Sequence, residues 1–137
     1  MSVFTLDALT LANLIDELLD TKKFRFNFCD TITLKLKIAD LSREIAPIKR
    51  RLELTEPREI LESYKLVLLY LMDMLLDRIQ RYKTKNFNLT NSITKEIVRL
   101  MRLILQAYSF DEIKELRPGF KNNVQHQVYK LIKGINY

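Results

Sequence analysis

The chain has 137 residues, 47% of them hydrophobic, and carries 23 Lys and Arg against 17 Asp and Glu for a formal charge of +6. That length suits one domain with a real core, and two glycines with three prolines leave too few turns for a β sandwich or a glycine-rich nucleotide fold. The positive balance favours acidic partners such as nucleic acid without demanding them.

The first predicted element is a helix from Leu6 to Asp20 with Thr5 as N-cap. Leu11, Leu14, Ile15, Leu18 and Leu19 repeat on one face, while Asp7, Asp16, Glu17 and Asp20 line the other. Residues 1–30 hold five acids against three bases, so the positive charge lies further along and a nucleic acid would meet another surface. The N-terminus lacks a basic region followed by a hydrophobic core and a cleavage site. The expectation is a soluble intracellular protein, cytoplasmic or nucleoid-associated, with no membrane partner.

From Lys22 to Asp30, Phe24, Phe26 and Phe28 alternate with polar residues, and the alternation resumes at Ile32, Leu34, Leu36 and Ile38; taken literally, that is a β hairpin. A longer pattern competes with it. Leu34, Ile38, Leu41, Ile45, Ile48 and Leu52 alternate spacings of four and three behind Asp30 as N-cap, which predicts an extended connector and then a helix from about Thr31 to Leu52. Pro47 should kink that helix or end it near Ala46. Cys29, the single cysteine, cannot form an internal disulfide and reads as a small buried hydrophobe. Lys49, Arg50 and Arg51 form the densest basic run, either a solvated cluster favoured at a helix C-terminus or a phosphate- or partner-binding group.

A long central helix is predicted from Thr55 to Tyr82. Thr55 caps it, Glu56 and Glu59 suit the positive end of its dipole, and Pro57 sits in the first turn, where its missing N–H costs nothing. Between Leu66 and Leu76 only Asp73 is charged, so the helix must be covered on several sides. That run is too short to span a bilayer. Leu61, Tyr64, Leu68, Leu71 and Leu75 form its seam, and Val67 and Met74 extend a second face with Ile60. These seven apolar residues, Ile60 aside, are the candidate subunit interface, to be completed by other protein subunits in a homo- or hetero-oligomer. Arg78, Arg81, Lys83 and Lys85, with Tyr82 and Phe87 between them, fit either a cation-decorated helix end or contact with a single-stranded nucleic acid by charge and stacking.

Asn86 to Asn91 reads as the longest loop, followed by a helix capped by Thr90, Asn91 or Ser92 and built on Ile93, Ile97, Leu100, Met101, Ile104, Leu105 and Tyr108. Lys95, Arg99 and Arg102 share its outer side, as a solvated face or a phosphate-facing stripe for DNA or RNA. Ser109 and Glu112 have capping-box spacing and start a short helical turn through Leu116. Arg117-Pro118-Gly119 is expected to break it. The domain then covers residues 1–117, and residues 118–137 form a tail in which Val124, Val128, Leu131 and Ile132 support a short helix ended by Gly134.

No constellation for catalysis stands out. His126 is the only histidine, no nucleophile motif marks any serine, and the glycines are isolated, so neither an enzyme nor a cofactor or metal site is expected. Asp73 and Asp77 share a face of the central helix, but Asp77 can pair with Arg81 one turn on. The fold class is all-α, a bundle of four to six helices around the central one.

The order of elements resembles the helical domain of GINS subunits, particularly the archaeal kind, from Phe26 to about Ile113. The resemblance rests on FNFCD leading into a helix, the charged break EIAPIKRRLELTEP, the long helix ESYKLVLLYLMDMLLDRIQRY and the capped NLTNSITKEIVRLMRLIL. The basic close of the family's long helix is matched in part by Arg78, Ile79 and Arg81. The family usually adds a small β domain, for which the residues after Pro118 are too few. The resemblance implies a non-enzymatic subunit of a DNA replication assembly that joins the MCM helicase to a RecJ-like partner. The alternative is a basic helical nucleic-acid-binding protein, such as a small viral or CRISPR-associated subunit, contacting its ligand mainly through Arg78, Arg81, Lys83, Arg99 and Arg102.

Overall fold

The computed structural model describes residues 7–20 and 57–134, and among these every regular element is helical. The possible hairpin, the Thr31–Leu52 helix, Pro47, Cys29, Thr5 and Thr55 lie outside the described residues. Helix α1 spans Ala8–Leu19 and opens two residues later than the spacing predicts, because Asp7 is its N-cap. The Asp7 Oδ1 accepts from the Thr10 backbone N–H at 2.7 Å. That hydrogen bond holds the Asp7 carboxyl below its usual range, and a carboxylate also suits the positive end of the helix dipole.

Helix α2, Pro57–Gln80, is the predicted central element and lies against both α1 and α3, the latter spanning Phe87–Gln106. At ~1.5 Å per residue it is a rod of roughly 36 Å. It ends two residues earlier than expected. A turn over 81–85 follows, in which the Lys85 and Asn86 N–H groups both donate to the Tyr82 carbonyl at 3.0 Å. The polar stretch from Asn86 is not a loop. Asn86 caps α3 by accepting from Leu89 N at 3.1 Å, so residues with the composition of a linker form the first turn. Their polarity mimics a loop because this turn faces solvent apart from Leu89 and Thr90.

Ile93, Ile97, Leu100 and Ile104 are buried on α3, as their period predicts, but Leu105 and Tyr108 are 61% and 89% exposed. Leu105 lies about a quarter-turn round the helix from buried Ile104, and for Tyr108 the reason is the next helix. Ser109 and Glu112 form the predicted capping box: Ser109 Oγ accepts from Glu112 N at 3.2 Å, and the Glu112 carboxylate accepts from Ser109 N at 3.1 Å and from Tyr108 N. An N-cap needs extended backbone, so the chain leaves the helix at Ala107 and Tyr108 never reaches the face its spacing assigns it. Lys65 secures the same corner from α2. Its Nζ donates to the carbonyls of Leu105 and Ala107 at 3.0 and 2.9 Å, placing a buried cation on the negative end of α3.

Helix α4 spans Phe110–Lys114. Arg117-Pro118-Gly119 then starts a helix instead of ending one: α5, Arg117–Phe120, passes through a π-helical turn at Lys121–Gln125 into α6, His126–Lys133. Pro118 occupies the first turn of α5, where no intrahelical N–H is needed. Gly134, at φ 65°, ends α6 in the left-handed conformation expected of it. Phe120, Val124, Val128 and Leu131 repeat at spacings of four, four and three and are buried in the same core as α1, α2 and α3. The segment expected to be a tail is therefore, through Gly134, part of the domain's core.

Candidate functional site

The seven apolar residues expected at a subunit interface are buried within the chain. Tyr64, Leu68, Leu71 and Leu75 have no exposed surface, and Leu61, Val67 and Met74 keep 8% or less. Tyr64 stacks on Phe110, ring centroids 5.1 Å apart, and burial pushes its phenol well above the usual range, with the Asp20 charge adding to the shift. The over-apolar α2 thus finds its cover from its own chain. Among the described residues Phe87, Leu105, Tyr108 and Tyr129 are the large apolar side chains left exposed, and Leu105 and Tyr108 flank a recess lined also by Leu61, Glu62, Lys65, Gln106 and Ala107.

The candidate cations divide sharply. Lys49, Arg50 and Arg51 lie outside the described residues. Arg78 is only 5% exposed and its Nη1 donates to Asp77 Oδ2 at 2.8 Å, so it leaves the set of surface cations. Arg81 stays open at 68% of its side chain, 3.8 Å from Asp77, in the pairing its spacing predicts. Exposed pairs of this kind contribute at most about 1 kcal/mol, which leaves Arg81 available to a ligand.

Lys83 and Lys85 project from the turn, and Lys95, Arg99 and Arg102 are exposed along α3 as a stripe. Arg99 is partly engaged: it holds Glu96 through Nε–Oε2 at 3.1 Å and Nη2–Oε1 at 2.5 Å. That fork keeps the Glu96 carboxyl below its usual range and raises the Arg99 guanidinium further. Gln80 Nε2 donates to Thr94 Oγ1 at 2.9 Å, joining the end of α2 to the second turn of α3 and fixing turn and stripe relative to each other. Residues 78–102 contain seven Lys and Arg against Glu96 alone, an excess equal to the formal charge of the whole chain.

The acidic side of α1 is not an open negative face. Asp16, 6% exposed, receives Arg117 Nε and Nη2 at 3.2 and 3.1 Å; Arg117 Nη1 reaches Asp20 at 3.2 Å, and Lys121 lies 3.8 Å from Asp16. These contacts raise the Arg117 guanidinium above its ordinary range. They pin the α5–α6 run to α1. Nothing in the spacing announces a pair 101 residues apart, and the same is true of Lys65 at the end of α3. His126 is exposed, and among the described residues no cluster of His, Cys, Asp or Glu could hold a metal. No described helix is long and apolar enough to cross a membrane.

Among the described residues, fold and surface define a small all-α protein in which the apolar seam of α2 is buried and exposed cations line the end of α2, the following turn and α3. Compared with protein-family models, curated proteins and solved structures, the chain matches none.

Proposed function

We propose that the chain is a non-enzymatic nucleic-acid-binding protein that contacts the phosphate backbone through Arg81, Lys83, Lys85, Lys95 and Arg102. The observation that carries this reading is the gathering of exposed cations on the α2–α3 segment, with Glu96, the one acid among residues 78–102, already occupied by Arg99. Cations held this way attract a polyanion by releasing its condensed counterions, so affinity must fall with salt. Labelled DNA and RNA oligonucleotides titrated at several salt concentrations should give a linear fall of log affinity with log salt. Reversing Lys95 and Arg102 to Glu together should flatten that slope by roughly 1.4–1.8, about 0.7–0.9 for each phosphate no longer neutralised. Binding that ignores salt, or a double variant with an unchanged slope, would overturn the reading.

A second reading, an assembly subunit of the GINS type, is favoured by a different observation: the exposure of Leu105 and Tyr108 side by side with a recess. Large apolar side chains grouped outside a closed core mark a surface for another subunit. On this reading the contact runs through the α3 end and not through the buried seam of α2. Light-scattering mass measurement of the purified chain, alone and after co-purification, should find it associated, and Tyr108→Asp should release the partner. A monodisperse species at 16.3 kDa that recruits no protein sinks it.

A further inference from the structure

Phe87 is the residue of the cationic segment that phosphate contact leaves unexplained. It opens α3 and is 55% exposed, with Lys83 Nζ 5.6 Å from its ring centroid. Along the chain around it Lys83, Thr84, Lys85, Asn88 and Asn91 are exposed and polar, while Tyr82 and Leu89 are packed against the core. Leu105 and Tyr108 lie at the other end of the same helix, about 27 Å away at ~1.5 Å per residue. An exposed aromatic ring with a lysine ammonium at its face suits a partner that is planar and apolar on its face and anionic beside it. A nucleobase with its flanking phosphates has that chemistry.

Resting on the phosphate-contact reading above, we propose that Phe87 is a base-stacking platform and that this surface takes single-stranded nucleic acid. An unpaired base lies on the ring while Lys83, Lys85 and Arg81 take the neighbouring phosphates, and the strand continues along α3 toward Lys95 and Arg102. From Phe87 to Arg102 that track measures roughly 22 Å. A duplex fits poorly, because its bases are stacked on one another and offer no face to the ring unless a step is opened. The sugar is not read by stacking, so DNA and RNA are both candidates.

Fluorescence anisotropy with labelled oligo-dT, oligo-rU and a DNA duplex of equal length separates the possibilities. The wild-type chain should bind the single strands more tightly than the duplex. Phe87→Ala should lose at least about fivefold on the single strands, keep its affinity for the duplex, and leave the salt slope unchanged. Phe87→Tyr, which preserves the ring, should bind single strands as the wild type does. Because Phe87 is exposed, an unchanged circular dichroism spectrum confirms that the variants fold. If Phe87→Ala binds single strands as well as the wild type, or weakens on duplex equally, the stacking proposal fails while salt-dependent binding still supports phosphate contact. Absence of salt-dependent binding to all three probes overturns both.

Discussion

Phe120→Ala is expected to destabilise the chain by about 3–5 kcal/mol, the usual cost of emptying a fully buried phenyl site. Phe120 has no exposed surface and ranks with Tyr64 among the largest fully buried side chains. It sits where α5 meets the π turn, at the head of the buried series that continues through Val124, Val128 and Leu131. Removing it opens a cavity at the first point where the C-terminal run enters the core. Domains of this size are stable by only about 5–15 kcal/mol, so the variant should melt at clearly lower urea with little change in the slope of the transition. Urea titration followed by circular dichroism measures it. A loss under about 1 kcal/mol would show that the run behaves as the dispensable tail that its Arg117-Pro118-Gly119 boundary suggests.

Arg117→Ala is expected to cost about 2–4 kcal/mol, somewhat below the range for breaking a fully buried pair because the Arg117 side chain keeps 31% of its exposure. The loss comes from what is left behind. Among the described residues, Asp16, with 9% of its side chain exposed, would keep only Lys121 at 3.8 Å after losing two hydrogen bonds from the guanidinium. Asp20→Asn should cost less than about 1 kcal/mol, since Asp20 is more open and Arg117 retains Asp16. Arg117→Lys should fall between the two variants, because an ammonium supplies the charge but not the planar fork that engages Asp16 while reaching Asp20. Denaturant melts of the three variants rank them. Equal stability of Arg117→Ala and the wild type would mean that the cluster is a solvated surface network with no structural weight.

Local physics makes much of this architecture readable in the residues. The apolar run of α2, the period of Ile93, Ile97, Leu100 and Ile104, the Ser109–Glu112 capping box and the Gly134 stop each depend on groups within one or two helical turns, so their patterns survive without knowledge of the fold. The misleading signals also have local causes. Asn86 and the polar residues after it have the composition of a linker, although the same asparagine side chain that favours turns is a strong N-cap. Pro118 has the look of a breaker, although in a first turn its missing N–H has no partner to lose.

The candidate interface shows the same division. Charge is a property of composition, so the concentration of cations between Arg78 and Arg102 is visible along the chain. Which of them reaches solvent is not, because that depends on what packs beside each side chain. Arg78 is withdrawn into the core, Arg99 is engaged by Glu96, and Phe87 is left outside.

Helical class, the central rod and the basic segment are thus set by residue pattern alone, through hydrogen bonds and periodicities that close within a few positions. Three facts belong to tertiary structure only: that α2 is sheathed by its own chain, that α5–α6 is locked to α1 through Arg117 and Asp16, and that Lys65 secures the end of α3. The last two join residues forty or more positions apart, and no regularity of spacing encodes a contact that exists only once the chain has folded back on itself.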